Sequence, residues 1–185
     1  MSLINIKKFV EVVPPLQPMM LFLDVEWADV RATELVSLAL VGDEMTFYAE
    51  RKPLRGQPTD FVRSTVYPLL VGQHWALSDD VFSQRLREFI AMATARNGRA
   101  PTIAYDYLAD RSLCKYTYED FGRVTTHVLN VEWFDLNQLG VEYAVHRERY
   151  FSENPLEAQR RHNALVDARA SIAGYRGALK ALVSK

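Results

Sequence analysis

Apolar residues dominate Met20–Val25 and return in the stretch that opens at Glu34 and reads ELVSLALV. Short apolar runs bounded by polar and turn residues predict buried strands. Only seven residues separate Glu26 from Glu34, too few for a parallel crossover, so these two strands are expected to pair antiparallel. Gly42 and Asp43 make a turn into a third strand over Met45–Glu50. Between residues 51 and 77, Pro53, Pro58 and Pro68 break any long element, and no element is predicted there.

The period changes at Ser78, a good helix cap followed by Asp79 and Asp80 in the first turn. Phe82, Leu86, Phe89, Ile90 and Ala93 form an apolar stripe, and Asn97 with Gly98 ends the helix. Pro101–Tyr105 is a fourth strand, reached by a crossover long enough to run parallel to the first. A helix over Ser112–Phe121, a fifth strand over Val128–Phe134 and a last helix over Asn163–Val183 complete the series. Leu165, Ala168, Ile172, Tyr175, Leu179 and Leu182 give that last helix its buried face. The pattern predicts an α/β fold: a mixed five-stranded sheet, three antiparallel strands and then alternating helix and strand, with flanking helices. Residues 1–19 are an N-terminal extension and residues 20–185 a single domain.

Composition adds limits. With 185 residues, 49% hydrophobic and 24% charged, the chain suits one globular domain with a sizeable core. A net charge of −1 and a pI near 6.4 exclude a broad basic surface. An acidic site would offset local basic residues in that sum, so net charge neither supports nor excludes a nucleic-acid substrate. Cys114 is the only cysteine, which rules out an intrachain disulfide and favours a reducing compartment, the cytoplasm. No run approaches the roughly 18 apolar residues of a membrane span. Glu11, Pro14, Pro15 and Pro18 spoil a signal-peptide core, so no membrane partner is expected.

The candidate chemistry lies in Asp24 and Glu26, Asp110, and His162 with Asp167. Asp24 and Glu26 are two apart on a strand, so their side chains leave the same face, and two carboxylates without a cation repel. A divalent ion relieves that repulsion: Mg²⁺ and Mn²⁺ prefer carboxylate oxygens, and two ions roughly 3.5–4 Å apart can clamp the attacking and leaving oxygens of a phosphodiester. Asp110 follows the fourth strand in the first turn of a helix, where a carboxylate is also a common helix-start residue. His162 and Asp167 would lie about 140° apart on a continuous helix. Both face one site only if His162 precedes the helix.

The order Asp-x-Glu, Asp, His-x4-Asp, carried by LFLDVEW, AYDYLADRSLC and RHNALVDA, resembles the DEDDh exonucleases, a group that includes RNase T, oligoribonuclease and the polymerase proofreading subunit. Within that group the motifs are most similar to those of the small bacterial 3′–5′ exoribonucleases. The likeness spans Leu21 to about Tyr175. Asp106 stands where relatives often carry Asn, and Val25 where Thr is common. The resemblance implies an RNase H-like fold and two Mg²⁺ or Mn²⁺ ions held by Asp24, Glu26, Asp110 and Asp167, with Asp24 bridging both ions and Glu26 on the nucleophile side. It implies His162 as general base toward water, a task suited to a group titrating near neutrality. Register favours Asp110 as the third carboxylate, ahead of Asp106 and then Asp135.

The implied reaction removes nucleoside 5′-monophosphates one at a time from single-stranded RNA 3′ ends. The alternatives are the same chemistry on DNA and a non-catalytic nucleic-acid-binding protein on the same fold. Trp27 either stacks on the terminal base or packs in the core. Glu34 is a candidate substrate contact or a plain strand-edge charge. Arg160 and Arg161 flank His162, and residues 146–176 hold six arginines against four acids, a possible approach for substrate phosphates or a solvated surface. The resemblance also implies a homodimer. Ala170, Gly174, Gly177, Ala178 and Ala181 offer a stripe of small residues for close approach, by a second copy or by the chain's own elements.

Overall fold

In a computed structural model, which describes residues 19–123 and 126–184, the apolar run from Met20 forms the central strand β1 (Met20–Trp27). Except for Met19, the predicted N-terminal extension lies outside the described residues. Strand β2 (Leu35–Val41) pairs antiparallel with β1, and β3 (Thr46–Arg51) antiparallel with β2, as the short connections require. A two-residue strand β4 (Ala76–Leu77) lies parallel to the end of β3. Helix α1 (Asp79–Asn97) then crosses back to β5 (Thr102–Tyr105), parallel to β1. Helix α2 (Leu108–Tyr118), strand β6 (Glu132–Asp135) parallel to β5, and helices α3 (Val141–Glu153), α4 (Pro155–Ala158) and α5 (Ala164–Val183) follow.

The sheet order is β4-β3-β2-β1-β5-β6, so among the described residues the sheet has six strands where the sequence predicts five. The extra strand is too short for a period and exists through its pairing with Glu50 and Arg51. Between β3 and β4 the chain makes a π-helical turn (Val62–Val66) and two 3₁₀ turns (Tyr67–Leu69, Gln73–Trp75).

Three other boundaries differ. Helix α2 starts at Leu108, not Ser112, and stops at Tyr118 because Asp120 and Phe121 take left-handed backbone angles. The fifth predicted strand shortens to Glu132–Asp135. Helix α3 was not anticipated: only Tyr143 and Phe151 are buried along it, while Val141 and Val145 face solvent, so no apolar stripe marks it.

Both faces of β1 are covered. Leu21, Leu23 and Val25 join the core with α1 and α2, while Met20 and Phe22 pack with Tyr175 and Ala178 of α5. Asp24 and Glu26 continue the second face toward α5. The small-residue stripe of α5 is taken up within the chain: a Cβ on Gly174 would sit 2.7 Å from Tyr143 Cε2, and one on Gly177 would strike the His146 ring, both on α3. Ala170 and Ala178 are fully buried. A homodimer would therefore need another face. Among the described residues no helix is long and apolar enough to cross a membrane.

Candidate active site

The pleat of β1 sends Asp24 and Glu26 to the α5 side at the end of the strand. Asp110 arrives from the first turn of α2, Asp106 from the end of β5, and Asp167 from the first turn of α5. Asp24, Asp110 and Asp167 are buried, and Glu26 is half-buried. Carboxylate oxygens of Asp24, Asp106 and Asp110 lie within 4.8 Å of one another. A carboxylate oxygen each from Glu26 and Asp167 and a ring nitrogen of His162 form a second such set. All six residues line one cavity of about 580 Å³.

His162 precedes α5 with a left-handed φ of 70°, which lets it share a site with Asp167 despite their spacing. Its backbone N–H donates to Asp167 Oδ2 at 2.7 Å. Its ring is exposed and meets Phe61 edge-to-face, with centroids 4.9 Å apart. Asn163 ties this loop down: its amide donates to the Tyr48 hydroxyl (3.3 Å) and the Leu69 carbonyl (3.2 Å). Tyr48 in turn donates to buried Glu50 (2.7 Å), which also accepts from the backbone N–H groups of Val71 and Gly72.

Crowding these acids in a dry place has the electrostatic consequence expected. Burial first, then the charges of Asp110, Asp167, Glu26 and Asp106, hold Asp24 well above the usual carboxylate range. Burial followed by Asp106 and Glu26 raises Asp110 likewise. Glu26 is pushed up to about 8 by burial and by Asp167, with Arg147 pulling the other way. Burial also raises Asp167, against the opposing effects of Arg147 and the His162 N–H.

These acids bind protons more tightly folded than unfolded, so their contribution to stability is present below the ordinary carboxylate range near pH 4 and is lost as pH climbs toward 8. In EDTA the melting temperature is expected to fall by several degrees between pH 5 and pH 8, since ~1 kcal/mol shifts it by roughly 2–4 °C at this size. A melting temperature that rises over that interval in calorimetry contradicts the electrostatic account.

The remaining sequence candidates divide. Trp27 packs on the main core, the second of the two readings, and also lines the cavity, stacked on Tyr107 (centroids 5.6 Å, 23°). Arg161 lines the cavity but is held by both Glu148 oxygens at 3.0 and 2.6 Å. Glu34 turns away to Arg51 Nη1 at 3.0 Å, and exposed Arg160 does not line the cavity. Asp135 caps the turn Leu136–Leu139 by accepting from the Asn137 N–H at 2.9 Å. Asp106, the second choice, is part of the site beside Asp110.

Sequence reasoning missed Arg147, Tyr143, Phe61 and Asn163. The density of arginines over residues 146–176 was the only signal toward Arg147. Phe61 sits in the proline-broken stretch where nothing was legible. No known protein family matches the chain, and no curated protein shows significant similarity to it.

Proposed function

We propose that this chain is a metal-dependent 3′–5′ exonuclease of the DEDDh kind on an RNase H-like fold, acting on single-stranded RNA 3′ ends. One observation carries the reading: Asp24, Asp106 and Asp110, and Glu26, Asp167 and the exposed His162, form two sets of potential metal-binding groups in a single cavity. Hard oxygen donors of this kind suit Mg²⁺ or Mn²⁺. Asp24, Glu26, Asp110 and Asp167 would hold two such ions, which supply Lewis acidity toward the phosphodiester and lower the pKa of water.

The protein's own part is positioning and proton transfer. A free imidazole nitrogen of His162 accepts the proton of the attacking water, and the left-handed loop, fastened by Asn163, points the ring at the cavity. Trp27, Tyr107 and Phe61 line the mouth with ring faces and edges, a sequence-tolerant surface for unstacked bases. Tyr107 is 61% exposed, so its replacement leaves the core intact. Tyr107→Ala is expected to raise KM on a short RNA roughly 5- to 100-fold with little change in kcat, the signature of lost uniform binding. An unchanged KM removes the stacking role.

The direct test is incubation of purified protein and Mn²⁺ with 5′-labelled single-stranded RNA and DNA of matched sequence. A ladder shortening from the 3′ end, blocked by EDTA and faster on RNA, is the expected result. Faster shortening of DNA moves the reading to an exodeoxyribonuclease, and binding without cleavage of either strand moves it to a non-catalytic protein.

A further inference from the structure

We infer that Arg147 is the group of this site that contacts a non-bridging phosphate oxygen of the substrate, with Asp106 as its positioning residue. The inference rests on the nuclease reading above. It begins with a mismatch between charge and bonding. Arg147 projects from α3 into the cavity between the two ligand sets, 22% exposed, with Nη2 3.4 Å from Asp167 Oδ1 and Nε 3.8 Å from Asp106 Oδ2. Charge-assisted bonds between guanidinium and carboxylate normally close to about 2.7–2.9 Å. Both distances are longer, and the buried Nε has no hydrogen-bond partner among the described residues. Two carboxylates thus hold the guanidinium in place while engaging few of its five donors.

The other cavity arginine offers the contrast. Arg161 donates to both oxygens of Glu148 and lies over the Phe151 ring at 4.3 Å, so its bonding capacity is largely used. Arg147, whose guanidinium carbon is 5.7 Å from the same ring, keeps its fork toward the cavity. A planar fork with spare donors is the geometry that recognises phosphate.

Asp106 then acquires a purpose. Beside the four acids that would hold cations in the proposed site it is a fifth carboxylate, within 4.8 Å of Asp24 and Asp110 oxygens, and alone it would add repulsion. Tyr143, one turn before Arg147 on α3, donates its hydroxyl to Asp106 Oδ2 at 2.9 Å, and the same hydroxyl lies 3.0 Å from Ser171 Oγ on α5. Asp106 is thereby fixed with one oxygen toward Arg147, where it offsets the arginine's charge and orients its fork.

The test compares Arg147→Gln, Arg147→Lys and Asp106→Asn with the unaltered protein, using three readouts: hydrolysis of a single-stranded RNA, Mn²⁺ binding by calorimetry, and binding of adenosine 5′-monophosphate in Mn²⁺. If Arg147 contacts phosphate, Arg147→Gln lowers kcat/KM and adenosine 5′-monophosphate affinity each on the order of 10- to 100-fold, the worth of one hydrogen bond to a charged group. Mn²⁺ affinity stays equal or rises, because a competing cation has gone. Arg147→Lys recovers only part of the loss, since an ammonium lacks the fork. Asp106→Asn gives a smaller loss, and the Asp106→Asn/Arg147→Gln double variant is no worse than Arg147→Gln alone. Loss of Mn²⁺ affinity together with a lowered melting temperature in Arg147→Gln, or unchanged nucleotide affinity, overturns the inference and leaves a structural ion pair. Failure of the nuclease reading is seen separately, as absence of hydrolysis by the unaltered protein, while the nucleotide-binding comparison still decides the role of Arg147.

Discussion

Asp24→Asn is expected to lower Mn²⁺-dependent hydrolysis of single-stranded RNA by roughly 10³-fold or more. A Lewis-acid contribution of several kcal/mol is at stake, and each ~1.4 kcal/mol is a factor of ten in rate. Asparagine keeps the size of the side chain and removes the charge, so the packing of this buried position is preserved. The same substitution is expected to raise the melting temperature in EDTA at pH 8, because Asp24 is buried among Asp110, Asp167, Glu26 and Asp106 and its ionisation is opposed by all of them. The stabilisation produced by adding Mn²⁺ should shrink in parallel. Lost turnover, gained intrinsic stability and a diminished metal response are together specific to a carboxylate kept for a cation. Near wild-type turnover in Asp24→Asn would sink the two-ion reading.

His162→Ala is expected to lose roughly 10²–10⁴-fold in rate, the usual worth of a positioned acid or base, while Mn²⁺ binding persists. Persistence follows from how Asp167 is held: its Oδ2 accepts from the backbone N–H of residue 162, which the substitution leaves in place. The backbone imposes a choice of control. At a φ of 70° alanine is strained, whereas asparagine is among the residues that tolerate the left-handed region. His162→Asn therefore separates loss of the base from loss of the loop: both variants should be slow, and His162→Asn should melt at the higher temperature. Because a His162 ring nitrogen lies within 4.8 Å of carboxylate oxygens of Glu26 and Asp167, calorimetry showing lost Mn²⁺ affinity in both variants would reassign the imidazole as a ligand.

Elements that bury a continuous run or a regular stripe were legible in the sequence. Strands β1 to β3 follow from their apolar runs and short connections, α1 from its apolar stripe although Ser78 makes no side-chain cap hydrogen bond, and α5 from Leu165, Ala168, Ile172, Tyr175, Leu179 and Leu182. The spacing of His162 and Asp167 required a break before α5, and the left-handed residue supplies it. Other features depend on partners remote in sequence. Strand β4 exists through its pairing with Glu50 and Arg51, and along α3 only Tyr143 and Phe151 are buried, with Tyr150 partly so, so its period is invisible and Arg147 with it. Glu34 shows a further limit: nearness to the DxE motif does not set side-chain direction, and Arg51 on β3 draws it off the cavity. Arg160 adjoins His162 in the chain and is still turned out to solvent.

The carboxylates come from the first strand of the sheet and from the final helix of the described chain, with α2 between them. Until α5 docks on β1, Asp24 and Glu26 face water beside a partial ligand set. Contacts between such distant parts of a chain carry the largest closure cost and form late. During refolding, tight Mn²⁺ binding should therefore lag behind the recovery of sheet and helix signals. A divalent-ion titration would serve as a clock for the last step of assembly.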